Sequence, residues 1–451
     1  MKEIMRRQLE QHAIVFGSPM LAPAQRCVLS RLLLLQGLVF GDQEVLEKFA
    51  IASYWEDLSG GRLHVTGDLS QALSKVGGSC SRDTDQSGQR SSREREEKAT
   101  LLAKQGFATF DTGFGPSDVS ASGASPVHDL FLTLNLLRDA GWPAPFLLVY
   151  DEAWVLIDRI WDLFTNLLGA ECRLESDINV WSLLTPEQAN TAQHPVGLDG
   201  KAVYIGCNFP ATHRDMPYTD AHDAAENPTA FNAWMPLNPG GATALNGCLR
   251  VVPIESDDHF FSPGHPLHMK TASWLAMAVE DAAASVTNRE QHLGTRNPND
   301  VDGVQEFFPC PEGYVCAFRP SLIHCGGPFI PGPFANIETA ALADSQPCGT
   351  PSPPTVQPPN LPRASIACTF REAAASENSP IPAWSLGGDR GGRTAGIDSM
   401  RRAQLATLPL QSRLRYAAKA IVSYAHWYPG LSGISQLRLQ SGAAKCALDS
   451  W

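Results

Sequence analysis

From Asp177 to Phe370 the chain is written in short runs rich in β-branched and aromatic residues, each closed by a turn. The runs are Ile178–Leu184, Ala202–Cys207, Ala230–Leu237, Leu249–Pro253, Val304–Phe308, Gly313–Phe318 and Ala364–Phe370. Between them stand Asn238-Pro239-Gly240-Gly241, Asn246-Gly247, Pro311-Glu312-Gly313 and Cys325-Gly326-Gly327-Pro328. Strands this short, punctuated by Gly and Pro, are the pattern of an all-β sandwich or barrel rather than of alternating βα units. The 37 glycines and 34 prolines of the chain fit a fold with many turns. Helices are predicted around this core: about 152–168, with Leu156, Ile160, Phe164 and Leu167 on one stripe, then about 270–286 and about 400–424.

The rest of the chain divides by composition. Residues 1–76 have helical apolar spacing through Leu32, Leu35, Val39, Leu46, Phe49 and Ala52 and form a helical N-terminal extension. Residues 77–100 are polar and charged with almost no large apolar side chain, so they are expected to be a disordered linker. The strand-rich domain spans 101–375, opening on a strand at Gly106–Phe110, with an inserted loop over 327–361. A C-terminal loop and helical extension, 376–451, completes the chain.

Charge and cysteine usage exclude several classes of function. Acidic residues number 47 against 35 basic ones, a net charge of −12, so a nucleic-acid partner is not expected. The longest apolar stretch, Leu32–Leu35 on to Val39-Phe40, is broken by Gln36 and too short to span a bilayer. Glu3 and Glu10 among Arg6 and Arg7 match neither a secretory signal nor a transit peptide, and an intracellular, cytoplasmic protein is expected. Eleven scattered cysteines without a CxxC pair read as small buried hydrophobes, not as a disulfide framework or a zinc ribbon.

His213-Arg214-Asp215 is the chain's only His-x-acid triplet. Twelve histidines among 47 acidic residues produce roughly one such spacing by chance, so the setting matters more than the triplet. In extended backbone residues i and i+2 face one side, and an imidazole nitrogen and a carboxylate oxygen can then address one ion. A second histidine on another strand completes a two-His-one-carboxylate face, which suits iron(II) and leaves positions open for a cosubstrate and dioxygen. His324, at the end of the apolar run Tyr314–Ile323 and before Cys325-Gly326-Gly327, is the candidate third ligand. A 2-oxoglutarate cosubstrate also needs a cation for its far carboxylate, best supplied by a guanidinium. No Lys or Arg occurs between Cys325 and Pro362; Arg363 opens the next strand, with Ser365 on its face two residues on.

Taken together, Thr212–Asp215, Ala233-Trp234-Met235-Pro236-Leu237, Leu245–Pro253 (Leu-Asn-Gly-Cys-Leu-Arg-Val-Val-Pro) and Leu322–Gly326 resemble the phytanoyl-CoA dioxygenase family over roughly 104–375. Asn246–Pro253 is the most specific block and the metal triplet the least. The resemblance implies a mainly β fold with helices, a double-stranded β-helix (jelly roll, cupin-like) core flanked by α-helices. It implies Fe(2+) on His213, Asp215 and His324, and 2-oxoglutarate on Arg363 and Ser365. The implied activity is hydroxylation of an unactivated C–H bond in a small, acyl-type or lipid-like substrate, consuming dioxygen and releasing succinate and CO2. Two departures stand out. Pro253 runs into Ile254-Glu255-Ser256-Asp257-Asp258-His259 where the family has Gly-Ser-His, and the gap from His324 to Arg363 is long and proline-rich.

Competing readings have less behind them. A kinase-type His-Arg-Asp would want an asparagine where Asp220 stands, and neither a Gly-rich phosphate loop nor an Asp-Phe-Gly is present. His222-Asp223 are adjacent and would face opposite ways in a strand. His259, His265 and His268 with Asp257 and Asp258 read as a solvated loop rather than a zinc cluster. A halogenase would carry a small residue where Asp215 stands. A non-catalytic jelly roll used for binding or scaffolding is the alternative from a different functional class. Trp234 reads as a pocket wall.

Overall fold

A computed structural model describes residues 47, 49–66, 68–77, 87–114, 125–140, 142–176, 178–183, 213–244, 246–257, 259–262, 306–326, 363–378 and 399–423. Its helices are α1 Ala52–Leu58, α2 Ser70–Gly77, α3 Ser87–Gln105, α4 Pro126–Asp139, α5 Asp151–Leu168, α6 Tyr218–Ala221, α7 Ala373–Asn378, α8 Arg402–Leu405 and α9 Leu410–Ser423. Its strands are β1 Phe107–Asp111, β2 Cys172–Leu174, β3 Asn179–Ser182, β4 Ala230–Pro236, β5 Leu249–Val251, β6 Glu306–Phe308, β7 Tyr314–Phe318, β8 His324–Gly326 and β9 Ala364–Glu372. They form two antiparallel sheets. The larger has the order β1-β7-β4-β9-β2, with β3 also paired to β9; the smaller is β6-β5-β8.

The period-2 alternation of the strands builds three layers. In β4, Phe231, Ala233 and Met235 face a core shared with the helices, while Trp234 faces a second core with the small sheet. In β9 Ala364, Ile366, Cys368 and Phe370 take the helix side, and Ala367 packs with the other cluster. β7 divides likewise, Val315 and Ala317 against Cys316 and Phe318. Phe107, Trp234 and Phe318 of the large sheet meet Leu249, Val251 and Phe308 of the small one. Two sheets enclosing a core, with helices on the outer face of one, make a double-stranded β-helix with flanking helices.

The helical layer is set by α5, whose buried residues Ala153, Ile157, Ile160, Trp161 and Phe164 form its core stripe. Asp151 and Glu152 occupy its first turn, where negative charge suits the exposed N–H groups. Phe164 stacks on Phe370 of β9 at 4.6 Å and 8°, and Trp161 meets the same ring edge-on at 5.2 Å. Phe49, Trp55, Leu63, Val65 and Leu69 from the N-terminal segment, and Leu414 and Ala417 of α9, belong to this same core. The fully buried Arg413 of α9 pairs with Asp151 and donates to the carbonyls of Val149, Leu408 and Thr66. It thereby ties three distant stretches together.

Two expectations are corrected. Residues 87–100, expected to belong to a disordered linker, are part of helix α3. Arg93–Glu97 at 3.0 Å and Glu94–Lys98 at 2.8 Å supply i,i+4 pairs, and Leu102 is buried in the core, which anchors the end of an otherwise polar helix. The single helix expected over 400–424 is split into α8 and α9 around Pro409, which lacks an N–H and disfavours helical backbone in the residue before it. The expected strand at 202–207, helix at 270–286 and inserted loop at 327–361 lie outside the described residues. Among the described residues no helix is long and apolar enough to cross a membrane.

Phe370→Ala removes the ring on which α5 rests, so it should lower unfolding free energy by about 3–5 kcal/mol. Phe370→Leu should lose less. Denaturant midpoints of the two variants against the parent chain measure the difference.

Candidate metal centre

The site begins with a backbone pairing. His213 N–H donates to the His324 carbonyl and His324 N–H to the His213 carbonyl, both at 2.9 Å, an isolated antiparallel bridge. On its other side His324 pairs with Val251 of β5. The bridge therefore adds the His213 segment to the edge of the small sheet and sets the two imidazoles side by side, centroids 4.4 Å apart. Extended backbone at His213 sends Arg214 the opposite way, onto the Ser321 carbonyl and to Asp257 at 2.7 Å. Asp215 is turned back toward the histidines, its N–H and that of Met216 both donating to the Pro320 carbonyl at 2.9 and 3.1 Å.

Asp215 Oδ1 lies 3.3 Å from His213 Nε2, and Oδ2 lies 3.4 Å from His324 Nε2. One ligand atom from each of the three residues falls within 4.8 Å of the others, a spacing that a single ion can bridge. Among the described residues this is the one such cluster of His, Cys, Asp and Glu. His324 is buried, whereas His213 and Asp215 are partly exposed, so the cluster has a closed side and an open one.

The surroundings prepare these groups as ligands. His324 Nδ1 lies 3.0 Å from the Leu322 carbonyl, which accepts its proton and leaves Nε2 as the free base facing Asp215. Burial pushes the His324 imidazole down to about 4, against the opposing pull of Asp215. Burial alone would raise Asp215, but the two imidazoles and the Asn232 amide outweigh it and hold the carboxyl below its ordinary range. The Phe318 ring closes on His324 at 4.8 Å. Two isolated imidazoles and one carboxylate on one face match the donor set of an oxygen-activating divalent iron and leave its remaining positions to small ligands.

Ser365 sits on the inner face of β9 and Arg363 immediately precedes the strand, both buried. Arg363 Nη1 donates to the Gly247 carbonyl at 2.7 Å, and its guanidinium lies 5.7 Å from the centroid of the Trp234 ring. Its Nε and the Ser365 hydroxyl have no hydrogen-bond partner among the described residues. No carboxylate pairs with Arg363 there, and burial lowers it to about 10. Buried polar groups in proteins are ordinarily satisfied. A lone guanidinium and an unpaired hydroxyl on one strand face are what an external carboxylate would complete.

Other candidates are accounted for within the fold. His222 stacks on Tyr218 at 3.8 Å, its Nδ1 lies 2.9 Å from the Tyr218 carbonyl, and Arg319 donates to its Nε2 at 3.2 Å. Both ring nitrogens are thereby used. Asp257 is committed to Arg214, and His265, His268 and Asp258 lie outside the described residues. Trp234 is buried between Arg363 and the inner core. Sequence reasoning passed over Asn232 and Thr369. Asn232 Nδ2 donates to Asp215 Oδ2 at 2.5 Å, and Thr369 Oγ1 donates to Asn232 Oδ1 at 2.7 Å. The available signal was a lone amide inside the apolar run Ala230-Phe231-Asn232-Ala233-Trp234.

No protein-family model matches the chain, and no curated protein matches it. Among solved structures it is similar to SnoN, a non-heme alpha ketoglutarate dependent epimerase from nogalamycin biosynthesis, at 16% identity and TM-score 0.31 over 62% of this chain and 82% of that one. SnoK, a carbocyclase of the same biosynthesis, gives 13% and 0.32 over 62% and 84%. HygX of Streptomyces hygroscopicus gives 10% and 0.31 over 61% and 86%.

The pH dependence follows from His324. Its folded value lies below the ordinary 6.5, so the unfolded chain binds the extra proton between 6.5 and about 4. The stability that this neutral histidine contributes is complete above about 6.5 and is lost as pH falls toward 4. Urea unfolding of chelator-treated protein across that window should show the slope, and His324→Gln should flatten it.

Proposed function

We propose that this chain is an Fe(II)- and 2-oxoglutarate-dependent oxygenase that hydroxylates an unactivated C–H bond of a small or lipid-like organic substrate. The observation that carries the proposal is the convergence of His213, Asp215 and His324 within 4.8 Å. The unpaired Arg363 Nε and Ser365 hydroxyl, on a neighbouring strand face, support 2-oxoglutarate as cosubstrate. Within this class the motif blocks favour a phytanoyl-CoA dioxygenase-like enzyme. Asn246–Pro253, the most specific of them, opens on the turn whose Gly247 carbonyl holds Arg363.

Each residue has a role in that chemistry. His213, Asp215 and His324 hold the metal, with the Leu322 carbonyl keeping His324 in the tautomer whose Nε2 is free. Arg363 and Ser365 bind the far carboxylate of 2-oxoglutarate, with Arg363 aimed by Gly247 and backed by Trp234. Phe318 and Trp234 wall the inner side and exclude water from it. Iron(II), when bound, supplies the oxidising chemistry with dioxygen, while 2-oxoglutarate is decarboxylated to succinate and CO2. The carboxylate of Asp215 occupies the position that a halogenase leaves for halide, which favours hydroxylation.

Anaerobic addition of Fe(II) and 2-oxoglutarate should produce a visible metal-to-ligand charge-transfer band. Its absence would favour the non-catalytic binding jelly roll. Asp215→Ala should reduce substrate-stimulated succinate release to background while the unfolding midpoint is retained; surviving turnover would remove the metal assignment. Arg363→Ala should raise the 2-oxoglutarate KM by roughly 10- to 100-fold, the loss of a charge-assisted anchor. An unchanged KM would move that role elsewhere.

A further inference from the structure

We propose, on the metal-binding reading above, that Asn232 and Thr369 are positioning residues that set the orientation of the Asp215 carboxylate. The three ligands are not equally constrained. His324 is held on both sides, by Val251 and by the His213 bridge, and its ring is fixed by the Leu322 carbonyl. Asp215 lies outside any strand, on a bend whose backbone is held at Pro320 and, through Arg214, at Ser321 and Asp257, but none of these contacts touches its carboxylate. Its side chain turns about two single bonds. Something outside the bend has to fix it, and Asn232 Nδ2 reaches Oδ2 at 2.5 Å.

The amide is itself oriented. Asn232 of β4 and Thr369 of β9 are directly opposed in the ladder, and Thr369 Oγ1 donates to Asn232 Oδ1 at 2.7 Å. Rotating the amide by half a turn would set its oxygen against the carboxylate, two acceptors at hydrogen-bond distance, even though the hydroxyl could still accept from the turned NH2. The direction Thr369 to Asn232 to Asp215 is therefore the one satisfied arrangement. Asn232 is almost wholly buried in a strand whose other side chains are apolar. Burying an amide is costly unless it is bonded, and leucine would fill the volume without that cost. Structure alone does not call for an amide here, whereas a ligand carboxylate does. Phe318 of β7, paired to Asn232 on its other side, packs on His324, so β4 and β7 together reach two of the three ligands from the opposite sheet.

The test uses the full chain and Co(II), without substrate. Affinity is read by competition with a chromophoric chelator, and ligand geometry by the visible Co(II) spectrum. Asn232→Leu should weaken Co(II) binding by about 10- to 100-fold and alter the spectrum. Thr369→Val should weaken it in the same direction by a smaller factor, and Thr369→Ser, which keeps the hydroxyl, should restore the parent value. Binding and spectra unchanged in both Asn232→Leu and Thr369→Val would overturn the proposal while leaving the metal site standing. A parent chain that binds no Co(II) would end the metal reading and this inference with it. Should Asn232→Leu fail to fold, the valine and serine variants decide alone: a difference between them supports the relay, and equal affinity refutes it.

Discussion

The pair of hydrogen bonds between His213 and His324 is the contact on which the candidate site depends. The triplet His213-Arg214-Asp215 is a local feature, and His324 belongs to a strand far along the chain. The antiparallel bridge, with the hydrogen bonds from Asp215 and Met216 to Pro320 beside it, makes neighbours of them. Because both partners of the bridge are themselves ligands, the register of one backbone pair and the spacing of two imidazoles are a single variable. A slip by one residue would bring Arg214 or Cys325 to the pairing position and turn a histidine away.

The large sheet turns the same alternation to a different end. Along β9 the even-numbered residues Ala364 to Phe370 are apolar and pack on the helices, whereas Ser365, Thr369 and Arg371, and Arg363 just before the strand, are polar and alternate with them. Thr369 reaches Asp215 through Asn232, and Arg363 lies six residues away, roughly 20 Å along an extended strand. The long Arg363 side chain can shorten that span, and the apolar Ala367 and Trp234 lie between the two ends. A floor that is apolar in the middle and polar at both ends suits a cosubstrate whose charged groups are at its ends.

Much of this was legible in the residues. Period-2 runs and Gly/Pro turns marked β1, β3, β4, β5, β6, β7 and β9 close to their observed bounds, and the stripe of α5 was plain. The spacing of His213 and Asp215, with a histidine at the end of an apolar run, led to the three residues that converge. What escaped had physical reasons. β2 (Cys-Arg-Leu) and β8 (His-Cys-Gly) contain no β-branched residue and no Phe, Tyr or Trp, so no strand-type run marks them. The polar composition of α3 hid a helix held by i,i+4 pairs and one buried leucine. Asn232 is not itself a ligand type, and its importance rests on a partner across the ladder that no local spacing reveals.

The Asn246-Gly247 turn ties a stretch remote from the metal triplet to Arg363. Gly247 has φ +94°, a conformation that L side chains seldom adopt, and its carbonyl accepts from Arg363. Asn246 braces the turn, its Oδ1 accepting from Thr243 N–H at 2.7 Å and its Nδ2 donating to the Gly241 carbonyl at 3.0 Å. A residue with a Cβ at 247 would strain that backbone and move the carbonyl. The guanidinium would lose the one acceptor that aims it. Burial already depresses Arg363 to about 10, a cost that the Gly247 carbonyl and the Trp234 ring offset in part and that an anion in contact would offset further. An asparagine and a glycine aiming a buried cation that has no carboxylate partner among the described residues fit the anion-binding role proposed for Arg363 better than they fit a need of the sheet itself.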